Sequence, residues 1–382
     1  MARFELARMP RVVGGEGSRS EAGAILAGLV PPGAAVLLVA DPGLKATGLA
    51  DDVATSLRNA GLGVTVFSEF TGDPTVAQVD AAAAVARRET VAAVVSLGGG
   101  SALDLGKAVA AIATADRSAV FYQLCEQPFP TRRLPSIVIP TTSGTGSEAT
   151  RTSIVTRADK AKVWLWGDEL KPDAVILDPE TTASLPAHLT AWTGIDALVH
   201  ALEAATNKNA TAANNVAAHA AIGLAATHLE RAVADGADKA ARAAMQQAAM
   251  LGGAAIDNAG TAVGHMIGHA LGSLKPIHHG RAVAIGMVAT LAWNIMDDDG
   301  RLDAAARAMG LGGASDLPEA FASLCRRVGI KTAIADEFAD INAERLAEQF
   351  ARPENAAMRV SNRRTVSDAD LKAFATTLLA QA

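Results

Sequence analysis

The strongest constraint on the fold is an alternation confined to the first half of the chain. Short apolar runs at 35–40 (AVLLVA), 64–67, 91–97 (VAAVVSL), 136–140 (SIVIP) and 174–177 (AVIL) are separated by stretches of helical periodicity, reaching to about residue 60, over 76–88 and over 101–113. A short run that is apolar throughout suits a strand buried on both faces, and strands alternating with helices build a parallel sheet covered on each side. From residue 189 onward no strand pattern stands out. Long helical patterns cover 210–233, 240–258, 281–296 and 368–380 instead. The expectation is α/β plus all-α: a Rossmann-like parallel-sheet domain over residues 1–187 and an all-helical domain over 188–382. Gly252, Gly253, Gly264 and Gly268 lie among alanines, which suits close helix packing or kinks.

The chain's 382 residues are long enough for about two cores. Half of them are hydrophobic and 19% charged, a balance of buried globular proteins rather than disordered ones. A net charge of −6, with no basic run interleaved with aromatics, argues against nucleic acid or an anionic membrane as partner. The N-terminal stretch has no apolar core of a secretory signal, and no uncharged apolar run reaches the about 18 residues of a membrane span. Cys125 and Cys325 lack CxxC spacing and are expected to be buried free thiols. A soluble, cytoplasmic protein is expected.

Three features of the first half suit ligand binding. Gly98-Gly99-Gly100-Ser101 follows the apolar run ending at Leu97 and opens a helix, where backbone N–H groups can cradle a phosphate. It matches neither GxGxxG, because position 103 is leucine, nor a P-loop, and a plain tight turn is the alternative. Asp41 ends the first clear strand, where an acid can bond a ribose hydroxyl or merely start the Asp-Pro-Gly turn. The hydroxyl- and glycine-rich loop 141–148 (TTSGTGSE) follows another strand, at the sheet edge where α/β proteins bind ligands.

The second half concentrates histidine. Asp196 and His200 are four apart in an apolar helical stretch, WTGIDALVHALE, so both emerge from one helix face. His265 and His269 repeat the spacing, and His278-His279 follow a Gly- and Pro-containing turn. A carboxylate and several imidazoles from separate segments are how a protein holds a catalytic divalent metal, whereas Asp196 buried alone would be costly. Spacing does not choose between His265 and His269, or between His278 and His279. The HExxH motif of zinc proteases is absent.

Taken together, GGGSALDLGK (98–107), PTTSGTGSEAT (140–150), the run from Asp178-Pro179 through TGIDALVHALEA, and HMIGHALG with HHG (265–280) resemble the iron-containing (group III) alcohol dehydrogenase family. The motifs stand in family order and the likeness extends from about Arg11 to the last helix. It implies an N-terminal dinucleotide domain, a C-terminal metal domain and an active site in the cleft between them, an architecture shared with dehydroquinate synthase. It further implies Asp196, His200, His265 and His279 as metal ligands, and His269 as a catalytic neighbour on the substrate or proton path. Gly98, Gly99, Ser101, Asp104, Thr141, Thr142 and Lys162 match positions lining the dinucleotide, and Asp41 matches the residue that favours NAD over NADP. Two departures stand out: Gly72-Asp73-Pro74-Thr75 replaces a proline-asparagine-proline-threonine segment, and Ser361-Asn362-Arg363-Arg364 lacks a proline. The implied function is NAD-dependent interconversion of a small alcohol and its aldehyde or ketone, with Fe²⁺, or Zn²⁺ on donor chemistry, as Lewis acid on the substrate oxygen. A homo-oligomer, dimer or larger, goes with it, and a maleylacetate-type reductase is the alternative.

Overall fold

Strand side chains in the first half alternate between two separate cores, and this makes the sheet a central layer. Leu37, Val39 and Val94 join one buried cluster, while Val36, Leu38, Val95 and Leu97 join another. In the computed structural model, which describes residues 4–380, eight strands form: β1 (Arg11–Gly14), β2 (Ala35–Ala40), β3 (Gly63–Phe67), β4 (Ala93–Gly98), β5 (Ser136–Pro140), β6 (Thr152–Thr156), β7 (Lys162–Trp166) and β8 (Ala174–Leu177). Six of them make an all-parallel sheet in the order β1-β8-β5-β4-β2-β3.

Helices Ala22–Ala27 and Leu49–Asn59 bury their apolar residues on one face, and Val76–Arg88 and Gly100–Ile112 on the other. The chain steps outward from β2 to β3, then returns past β2 to β4 and continues to β5. The direction of winding therefore reverses between β2 and β4. Such a switch point leaves a crevice at the strands' carboxyl ends, the usual ligand site of open α/β sheets.

The expected sheet is present, and two pieces add to it. β1 contributes only four residues, mostly exposed, and is held by its parallel ladder to β8. β6 and β7 form an antiparallel hairpin whose buried side, with Val155, Val163 and Leu165, joins the first cluster, while Trp164 and Trp166 stand outward. Cys325 is buried as expected, but Cys125 is exposed, because it ends a surface 3-10 segment with φ of +60°.

The described residues group into two compact units, Arg8–Leu185 and the stretch from Pro186 onward, with the residues before Arg8 joining the latter. The Ala7 N–H donates to Asn258 of that unit. Residues 1–3 and 381–382, at the outer ends of the two expected domains, lie outside the described residues. Among the described residues the second unit is helical without strands. Its long helices Ala187–Thr206, Ala212–Ala234 and Lys239–Ala259 pack around one alanine-rich core, and Val263–Leu274 contributes to a second with the C-terminal helices. No helix among the described residues is long and apolar enough to cross a membrane.

Candidate functional site

Helix Ala187–Thr206 presents Asp196, His200 and Glu203 at offsets of four and seven, hence on one face, and all three are buried. Helix Val263–Leu274 supplies His265, and the next helix begins with His279. Small residues let these helices meet backbone to backbone. A Cβ on Gly280 would lie 1.9 Å from the Trp192 carbonyl oxygen, and one on Gly286 would lie 2.2 Å from that of Gly264. Nothing larger than glycine fits at either place.

This packing aims three imidazoles at one oxygen. Nε2 of His265 lies 3.5 Å from Asp196 Oδ1, and Nε2 of His200 and of His279 each lie 3.8 Å from it. The ligand atoms of Asp196, His265 and His279 fall within 4.8 Å of one another. His200 joins through Asp196 and stacks on His265 with ring centres 4.5 Å apart. His279 retains 39% of its side-chain exposure and so leaves one side of the cluster open.

Asp196 Oδ1 and His265 Nε2 are buried without any hydrogen bond. An orphaned buried polar atom costs on the order of 1–3 kcal/mol, and more when charged. A divalent cation between them removes that cost, and one carboxylate with imidazoles is a donor set first-row metals accept. The residues present therefore fit a metal. Charge agrees with geometry. Burial would raise the Asp196 carboxyl, but His200, His279 and His265 outweigh it and hold it well below the usual carboxylate range. Burial would likewise lower the His265 ring, yet Glu203 and Asp196 raise it to about 9. A metal entering here displaces a proton held between two carboxylates.

The structure separates the histidine pairs that spacing left open. His278 caps its helix, with Nδ1 accepting from the Gly280 N–H at 3.2 Å, and packs on Trp192. His269 stands one turn beyond His265, with its ring centre 5.3 Å from that of His279 and 6.3 Å from that of His265. It borders the cluster without entering the group of converging ligand atoms.

The other expected site gathers at the β2/β4 switch point. Gly98 has φ of +152°, and a Cβ there would come within 2.6 Å of Ala102 and 2.8 Å of Asp41. The Thr141 N–H donates to the Gly98 carbonyl at 2.9 Å, and an ideal Cβ on Gly99 would lie 3.3 Å from Thr142. Asp41, Gly98, Gly99, Thr141 and Thr142 are thus neighbours, and Ser101 sits in the first turn of the helix that follows. Gly99 is the N-cap of that helix and closes it with no side chain; its carbonyl accepts from the Ala102 and Leu103 N–H groups, and the Gly100 and Ser101 N–H groups are left without intrahelical partners. Asp41 also serves its local turn, with Oδ1 accepting from the Gly43 N–H at 2.8 Å.

Two of the expected cofactor residues have other partners. Asp104 accepts from Ser147 Oγ at 2.5 Å and from the Ile154 N–H at 2.9 Å. With the fully buried Lys107, whose Nζ donates to Ser147 O at 2.7 Å, it ties down the threonine loop. Lys162 Nζ pairs with Asp73 Oδ2 at 2.6 Å, the acid of the Gly72-Asp73-Pro74-Thr75 segment.

Two sequence signatures cover most of the chain: "Iron-containing alcohol dehydrogenase" over residues 10–179, and "Fe-containing alcohol dehydrogenase family, C-terminal" over residues 190–379. The chain belongs to the iron-containing alcohol dehydrogenase family. Among relatives, it is 38% identical to a choline dehydrogenase of Bacillus subtilis over 68% of this chain, and that match spans 65% of the relative's own length. It is 35% identical to an NAD-dependent methanol dehydrogenase of Bacillus methanolicus over 83% of this chain and 80% of that one. The structure superposes on a sulfoacetaldehyde reductase from Bifidobacterium kashiwanohense in complex with NAD⁺ with a TM-score of 0.91, at 27% identity and full coverage of both chains.

Within this family member one residue against the acid–histidine cluster is not singled out by the sequence motifs. Glu203 Oε2 lies 2.7 Å from His265 Nδ1. Its signal was present, because it shares a helix face with Asp196 and His200.

Proposed function

We propose that this protein is a metal-dependent NAD(H) alcohol dehydrogenase that interconverts a small alcohol with its aldehyde or ketone. The observation that carries the reading is the convergence of three imidazole Nε2 atoms on Asp196 Oδ1, which is buried and makes no hydrogen bond. Asp196, His200, His265 and His279 would hold the metal. The family favours Fe²⁺, although the same donors accept Zn²⁺. When bound, the metal supplies Lewis acidity toward the alcohol oxygen and the dinucleotide supplies a hydride acceptor.

The chain's own groups do the rest. The helix N-terminus at Gly99–Ser101 and the loop residues Thr141 and Thr142 would seat the dinucleotide phosphates and nicotinamide side, with Lys162 contributing from its hairpin. Asp41 would accept from the ribose hydroxyls and repel a 2′-phosphate, which favours NAD. Asp104 holds the loop in register through Ser147 and Ile154. His269, beside the cluster, would carry the alcohol proton toward solvent. In this reading residues 1–187 form the dinucleotide domain and residues 188–382 the metal and substrate domain, and the protein works in the cytoplasm as a dimer or larger homo-oligomer.

The test is NADH formation across a panel of short alcohols, before and after chelation and after re-addition of Fe²⁺ or Zn²⁺. Loss on chelation with recovery on re-addition supports the reading. Undiminished turnover in fully metal-free protein would sink it.

A further inference from the structure

Three side chains share the metal face of helix Ala187–Thr206, and two of them are proposed ligands. The third, Glu203, is 3% exposed and has every acceptor position in use. Its Oε2 accepts from the Ala262 N–H at 2.6 Å and from His265 Nδ1 at 2.7 Å. Its Oε1 accepts from the Gly264 N–H at 2.7 Å and from the His265 N–H at 3.2 Å. The helix Val263–Leu274 begins at Ala262 with no side-chain cap of its own. A carboxylate from another helix therefore satisfies its orphan N–H groups and meets its positive end.

The same contact settles the ring chemistry. A carboxylate ringed by three N–H donors brings no proton to His265, so the proton in the 2.7 Å bond sits on Nδ1. When a metal displaces the ring's second proton, Nδ1 keeps its own and the lone pair falls on Nε2, the atom that faces Asp196 without a hydrogen bond. Even the neighbouring glycine fits the arrangement, since a Cβ on Gly264 would lie 2.9 Å from Glu203 Oε1. A partner on the far ring nitrogen is the usual means of orienting a metal-binding histidine.

We propose that Glu203 is the positioning residue of the metal site: it fixes the tautomer and orientation of His265 and anchors the start of the helix that carries it, so that metal affinity depends on a residue that never touches the metal. The inference rests on the metal reading above.

The test titrates metal-free wild type, Glu203→Gln, Glu203→Asp and His265→Ala with Zn²⁺, with thermal unfolding of each metal-free protein alongside. Glutamine keeps the size but brings an NH₂ group that either donates to Nδ1, driving the ring proton to Nε2, or opposes a backbone N–H. Folded Glu203→Gln is expected to bind Zn²⁺ roughly 10- to 100-fold more weakly. Glu203→Asp, which keeps the carboxylate, is expected to recover part of the loss. Wild-type affinity in folded Glu203→Gln overturns the assignment of Glu203 and leaves the metal site standing. Failure of wild type itself to bind overturns the metal reading and this inference together. Should Glu203→Gln not fold, ¹⁵N-histidine NMR of the Zn²⁺-loaded wild type decides. The His265 ring is expected to be protonated at Nδ1, and coordination through Nδ1 contradicts the proposal.

Discussion

The two candidate sites are built from opposite materials. In the helical unit the candidate metal site consists of side-chain heteroatoms, with Asp196, His200, His265 and His279 brought together by helices that touch at glycines. In the α/β unit the switch-point turn consists mainly of backbone, and what matters at Gly98 and Gly99 is the absence of a side chain. The first site is broken by deleting an atom that bonds, the second by adding one that intrudes. The buried carboxylates differ in the same way. Asp196 is held ionised by surrounding imidazoles, whereas Glu148, in the threonine loop, has Oε1 without a hydrogen bond, and burial raises its carboxyl to about 7.

The sharpest break of this contrast is Asp196→Ala. It removes the oxygen on which the imidazoles converge, and turnover should fall by roughly three orders of magnitude, the several kcal/mol a Lewis acid supplies. NAD affinity, read by fluorescence titration, should stay within about twofold, and a parallel collapse would mean that the sites are not separate. Gly98→Ala is the converse. Its backbone lies where side chains are strained, and the added methyl would meet Ala102 and Asp41. NAD affinity should drop about tenfold or more, with stability lower by roughly 1–3 kcal/mol and metal content unchanged.

Glu148 gives a test in pH. Its folded value, about 7, lies above its ordinary one, so its contribution to stability is complete at acid pH and is lost as pH rises through about 7. Glu148→Gln should flatten the decline in urea-unfolding free energy between about pH 4.5 and 7, by at most about 3.5 kcal/mol. An unchanged profile would assign the decline elsewhere. The smallest effect is expected at the half-exposed pair of Lys162 and Asp73. Asp73→Asn should alter stability by less than about 0.5 kcal/mol, and by releasing Lys162 it should tighten NAD binding a few-fold. No change in affinity would remove Lys162 from the dinucleotide site.

Much of this contrast was legible in the sequence. Near-continuous apolar runs mark β2, β4, β5 and β8, because strands buried on both faces admit few polar residues, Ser96 and Ser136 being the exceptions. β1 leaves no such trace, since most of its four residues are exposed and its identity comes from pairing with β8. The β6–β7 hairpin did carry a readable signal, the period-two alternation of TSIVT and KVWLW. The offset of four residues between Asp196 and His200 put both on one face, but the choice of His279 over His278 turns on where a helix begins. His278 is the last residue outside it and spends its ring on the cap, whereas His279 is the first residue inside. Glu203 lay in plain view, but its role depends on a loop and helix some sixty positions away, which no local pattern reports.

The most direct measurement is anomalous X-ray diffraction from crystals of the protein loaded with Fe²⁺ or Zn²⁺, recorded at the metal's absorption edge. The account predicts one strong peak within coordinating distance of Asp196 Oδ1 and the Nε2 atoms of His200, His265 and His279, and the loss of that peak in Asp196→Ala. A peak elsewhere in the fold, or no peak in crystals of a preparation that oxidises alcohols, would contradict it.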